Sequence, residues 1–175
     1  TLFKLEMERI YGNAWIYVGH ESQVKNPGDY HTTRIGDQDV IMVRGANQQV
    51  SVLYNRCPHK GAKLVADGDG SVGKFFRCPY HAWTFKLDGQ HLSAPLKSGF
   101  EGTCYDPKHP DFSMVSVARV EAYRGFVFAS QAAFGPDLKT FLGGVITSID
   151  NLCDRSPVGE VEVAGGVFRV QPRSN

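Results

Sequence analysis

Two short segments constrain this chain more than anything else in it. Cys57-Pro58-His59-Lys60-Gly61 and Cys78-Pro79-Tyr80-His81-Ala82-Trp83 each set one thiol and one imidazole close together. If the four side chains meet on one centre, residues 60–77 become a closed loop, and the flanking elements must deliver both turns to the same place. A β-turn at each site aims the pair inward, and Pro58 and Pro79 each remove a backbone donor while stiffening the turn. Four cysteines in 175 residues are too few for a disulfide scaffold, and two of them sit beside histidine, so metal binding is the better reading.

Two Cys and two His suit either of two centres. One is a closed tetrahedral zinc site. The other is a [2Fe-2S] cluster, in which the thiolates hold one iron and the neutral imidazoles the other. Structural zinc sites usually pair Cys with Cys and His with His, whereas here each segment carries one of each. The pattern favours the cluster, with Cys57, His59, Cys78 and His81 as its ligands, and leaves zinc as the alternative. Exchanging two anionic ligands for neutral ones makes an added electron less costly. The potential rises to about −150 to +300 mV, against about −400 mV for all-cysteine plant-type clusters.

Around these segments the chain is mainly β. From Trp15 to about Ala129, short runs rich in Val, Ile, Tyr and Phe are cut by turn signals: Asn26-Pro27-Gly28-Asp29, Gly45-Ala46-Asn47, Gly68-Asp69-Gly70 and Asp88-Gly89. Val50, Val52 and Tyr54 alternate with Ser51 and Leu53. Asp88-Gly89 supplies the two positive-φ positions of a tight hairpin between 84–87 and 90–92. Phe3, Met7, Ile10, Tyr11 and Ala14 recur at helical spacing and predict an amphipathic helix over 2–13. Leu138, Phe141, Leu142, Val145, Ile146, Ile149 and Leu152 predict a second over 137–153, opened by Pro136 and Asp137. A strand is expected over 160–170.

A net charge of +1 with scattered basic residues excludes an electrostatic footprint for nucleic acid or an anionic membrane. No apolar run approaches the roughly 20 residues of a membrane span, and no signal-peptide pattern opens the chain, so the expected location is cytoplasmic. His20, His31, His91 and His109 lack paired spacing and are expected at the surface. Cys104 and Cys153 are expected to be inert, Cys153 on the apolar face of its helix. Tyr80 and Trp83, beside His81, are candidates for shielding the cluster. Lys60 and Arg77 are better read as solvated surface than as a docking rim.

The two segments resemble the Rieske signature, and their flanks resemble the large (alpha) subunit of aromatic-ring-hydroxylating dioxygenases. The flanking similarity lies in Trp15 with Val18-Gly19-His20, in Pro27-Gly28-Asp29-Tyr30, in Thr84-Phe85 and in Tyr123-Arg124-Gly125-Phe126-Val127-Phe128-Ala129. Lys60 departs from the family, which more often has Arg there; the charge is kept and the planar fork lost. The respiratory Rieske type carries an extra cysteine in each loop and a serine after the second histidine. Both are missing here, which places the potential at the low end of the range.

The resemblance implies an antiparallel β-sandwich or barrel with a cluster-binding subdomain of two loops. It divides the chain into an N-terminal helix (1–14), a Rieske domain (15–132) and a helix and strand (133–175) leading into a catalytic domain absent from this sequence. It implies electrons taken from a ferredoxin or reductase and passed to a mononuclear non-haem Fe(II) that hydroxylates an aromatic ring with O2. It also implies neighbouring large subunits, commonly in a trimer, sometimes with a small subunit. No catalytic iron ligands are found in this chain. A stand-alone Rieske ferredoxin is the alternative, disfavoured by the added helices.

Overall fold

The structure, a computed structural model, describes residues 1–165. Its strands are β1 (Ile16–His20), β2 (Asp29–Ile35), β3 (Gln38–Arg44), β4 (Val50–Tyr54), β5 (Asp69–Ser71), β6 (Phe76–Arg77), β7 (Thr84–Phe85), β8 (His91–Ser93), β9 (Arg119–Tyr123) and β10 (Phe126–Ser130). All pairings are antiparallel. They form sheets of order β1-β10-β9, β4-β3-β2-β5 and β6-β7-β8. The mainly antiparallel β architecture is the one expected. Of the sandwich or barrel, the open sheets exclude a closed barrel among the described residues.

The second sheet is a wall between two cores. Ile41, Val43 and Leu53 face one core with Cys57, Phe76, Cys78, Trp83 and Phe85. Val40, Met42 and Val52 face the other with Val18, Val24, Val127 and Ala129. Residues 40–43 are therefore buried without interruption, as in a strand covered on both faces. The alternation expected for 50–54 fails for the same reason, since Val52 and Leu53 are both buried.

The segment between the two Cys-His loops is pinned halfway. β5 pairs with β2 through Tyr30↔Gly70 and His31↔Asp69, which returns the chain to β6. The hairpin after β7 is longer than expected. Among its turn residues only Gly89 has positive φ (88°): the Gly89 N–H donates to Lys86 O (2.9 Å) and the Lys86 N–H to Gln90 O (2.8 Å), the pattern of a type I turn followed by one left-handed residue, which leaves Asp88 outside that region.

The expected helix over 2–13 is α-helical only at α1 (Leu2–Glu6) and continues as a π-helical turn over Met7–Tyr11. The expected helix over 137–153 is two helices, α2 (Leu138–Leu142) and α3 (Val145–Cys153). Gly143 breaks it at φ 50°, ψ −124°, a backbone state open to glycine and costly for other residues. Both helices pack on Trp15 through Leu138, Leu142, Ile149 and Cys153. Residues 160–165 are irregular, and the rest of the expected strand lies outside the described residues. No helix among those residues is long and apolar enough to cross a membrane.

Candidate metal centre

The two Cys-His loops are built on one hydrogen-bond frame. In the first, the Cys57 N–H donates to Ala62 O (2.8 Å) and the Gly61 N–H to Cys57 O (2.8 Å); in the second, the Cys78 N–H donates to Trp83 O (2.8 Å) and the Ala82 N–H to Cys78 O (3.0 Å). The fourth residue after each cysteine is left-handed, Gly61 at φ 73° and Ala82 at φ 55°. On this frame His59 matches Tyr80, and His81 stands one place further along. The second loop caps the β6–β7 hairpin.

The first loop follows β4 and is stapled by Asn55, a buried residue. Its Oδ1 accepts from Leu64 N (2.9 Å) and Val65 N (3.2 Å), while its Nδ2 donates to Val65 O (3.0 Å). Sequence reasoning passed over this residue. The available signal was a polar side chain closing a strand just ahead of a cysteine.

The structure brings the four expected donors together as two pairs, thiol with thiol and imidazole with imidazole. The Cys57 and Cys78 thiols are buried and within hydrogen-bonding contact. The His59 and His81 rings meet edge to face, 4.8 Å between centroids. Burial pushes the Cys57 thiol up to about 11; the backbone N–H groups of His59 and Lys60 pull it back, while Cys78 adds to the rise. Without a cation the Cys57 thiol stays protonated at neutral pH, and a bound metal is what makes a buried thiolate tolerable. Burial, then the positive charges of His81 and Lys60, lower the His59 pKa and keep that imidazole neutral, as a metal ligand must be.

The donors divide into a thiol pair and an imidazole pair, the division that a two-iron centre requires. The donor set therefore fits a [2Fe-2S] cluster.

Each imidazole has an aromatic neighbour. Trp83, buried, lies parallel to His59 across the two loops (4.7 Å, 6°). Tyr80 stacks on His81 (3.8 Å, 30°) but is 65% exposed.

The remaining histidines correct the surface expectation in two cases. His20 and His91 are buried, with Nε2 of the first and Nδ1 of the second lacking a partner. His20 closes β1, where its Nδ1 faces the Ser22 N–H (3.2 Å) and hydroxyl (2.9 Å); His91 pairs across from Phe85. His31 is half-buried against Asp69, and His109 is exposed. Cys104 is exposed and Cys153 is buried on the α3 face.

The chain has relatives among known proteins. The chain is 35% identical over 171 residues to the biphenyl dioxygenase subunit alpha of Metapseudomonas furukawaii, covering 94% of this chain and 36% of that protein. Its fold superposes on naphthalene 1,2-dioxygenase from Rhodococcus sp. bound to indole with a TM-score of 0.83 at 28% identity, covering 93% of this chain and 36% of that one. It also superposes on a quaternary ammonium Rieske monooxygenase in complex with L-carnitine (TM-score 0.77, 34% identity, 87% and 42% covered). The chain thus spans about a third of the length of the curated relative it matches. Residues 14–112, more than half of the chain and both Cys-His loops, match the Rieske [2Fe-2S] domain, and the chain belongs to that family.

Proposed function

We propose that Cys57, His59, Cys78 and His81 hold the Rieske cluster, and that residues 15–132 are the electron-transfer domain of a terminal oxygenase alpha subunit. Residues 1–14 and 133–175 flank it, the latter leading into a catalytic domain. The observation that carries this reading is the split donor set: two buried thiols in contact, and two imidazoles edge to face at 4.8 Å. When bound, the cluster supplies a one-electron carrier in the potential range open to mixed Cys-His ligation.

The chain's own residues hold and tune that carrier. The N–H groups of His59 and Lys60 point at the Cys57 sulfur and stabilise its negative charge. Trp83 excludes water behind His59, while Tyr80 covers the outer face of His81. Neither loop contains an additional cysteine, so no disulfide braces the loops and the potential belongs low in the Rieske range. That suits electrons from a ferredoxin or reductase, passed on to a mononuclear non-haem Fe(II) that hydroxylates an aromatic ring with O2. Neighbouring alpha subunits, in a trimer with or without a small subunit, complete the assembly.

A stand-alone Rieske ferredoxin is the second reading. The similarity to an oxygenase alpha subunit over 94% of the chain, well beyond residues 14–112, favours the oxygenase. Iron and acid-labile sulfide analysis of the purified chain tests the assignment. About two of each per chain are expected for this cluster, whereas zinc without sulfide overturns it.

A further inference from the structure

One buried histidine plays no part in the reading above. His91 is 4% exposed, and its Nδ1 has no partner. Its Nε2 lies 2.7 Å from the Tyr105 hydroxyl. If the hydroxyl donates, the ring proton sits on Nδ1 and is left without an acceptor; in the other tautomer Nδ1 is an unused acceptor. Either way one polar atom is buried unsatisfied, a cost that Phe or Leu would avoid. What this histidine supplies and Phe does not is the tie to Tyr105, whose hydroxyl belongs to the irregular stretch between β8 and β9.

That tie converges on the aromatic backing of the first imidazole. The Trp83 indole lies 4.9 Å from the His91 ring and 5.8 Å from Tyr105, with Phe100 and Phe112 at 6.3 and 6.1 Å. The same indole lies parallel to His59. The χ2 torsion of histidine is broad and soft, whereas a ligand nitrogen must be aimed within about 10–20°. A flat ring alongside the imidazole restrains that torsion only as well as the ring is itself held. We infer that His91 and Tyr105 are positioning residues for His59, acting through Trp83. This rests on His59 being a cluster ligand.

The test is a double-mutant cycle read by the midpoint potential and the electron paramagnetic resonance spectrum of the reduced cluster. Loosening the indole admits water beside the ligand, and water favours the more negative, reduced state. Trp83→Leu is expected to raise the midpoint and broaden the lines. Tyr105→Phe, which removes only the hydroxyl, is expected to shift both the same way by less, and His91→Phe to match it. Adding Tyr105→Phe to Trp83→Leu is expected to shift neither further, because its route to His59 is gone. If Trp83→Leu does not load iron, Trp83→Phe takes its place, and a smaller Tyr105→Phe shift than in the parent is expected.

The inference is overturned if Tyr105→Phe and His91→Phe lower the melting temperature and leave potential and line widths unchanged, as packing alone would. It is equally overturned if the Tyr105→Phe shift adds in full to that of the Trp83 variant. Failure of the ligand assignment looks different, since the parent protein would then contain no acid-labile sulfide and give no reduced-cluster signal.

Discussion

At the scale of single residues, the proposed ligands rest on chemistry carried by residue type and spacing: a thiol and an imidazole two or three apart, twice. The ligand assignment predicts that His59→Cys or His81→Cys, if the cluster still assembles, lowers the midpoint potential, because a thiolate adds negative charge. An unchanged potential in redox titration would contradict it. The shared loop frame makes a second prediction. Gly61 sits at φ 73°, and a Cβ there would meet nothing closer than Arg56 Cδ at 3.9 Å. Gly61→Ala is therefore expected to cost only the left-handed penalty, about 1–2 kcal/mol, measured by chemical denaturation. His91 was misjudged as a surface residue because a lone histidine in a strand carries no periodic signal; its partner Tyr105 comes from a segment without regular structure.

At the scale of elements, strands were more legible than helices. Two-sided burial overrode the alternation expected of β4, yet composition and turn residues located the strand. The helix over 137–153 was split by Gly143-Gly144, whose low helix propensity outweighed an unbroken apolar period. Its start was legible. Asp137 caps α2, its carboxylate accepting from the Thr140 N–H (2.7 Å), and that bond holds its pKa below the ordinary 3.8. A depressed carboxylate stabilises the folded state above the ordinary value and loses that contribution as pH falls through the lowered one. Asp137→Ala is accordingly expected to lower the melting temperature at neutral pH, with the difference from the parent closing in acid. A gap that stays constant with pH would show that the charge has no part in the cap.

At the scale of the whole molecule, the sequence spoke clearly of what the chain carries and less of how its layers meet. Which face of a strand is covered depends on partners distant in sequence, and three open sheets were not distinguishable from a barrel by turn spacing alone. The chain spans 36% of the biphenyl dioxygenase subunit alpha that it matches, and its family match is to the Rieske [2Fe-2S] domain. The chain of residues 1–175, supplied with a reductase, O2 and aromatic compounds, is therefore expected to give no hydroxylated product by chromatography. Product formation would reveal an iron site outside the set described.

The wall of β2, β3 and β4 has a mechanical consequence. Ile41, Val43 and Leu53 are fixed in the layer beneath the loops, and Val40, Met42 and Val52 in the layer behind. Tilting the loop-bearing tip against its base would pull one set or the other into water, at about 0.8 kcal/mol for every methylene uncovered. A part with no seam does not swing. The two Cys-His loops and the sheet behind them are therefore expected to move as one body.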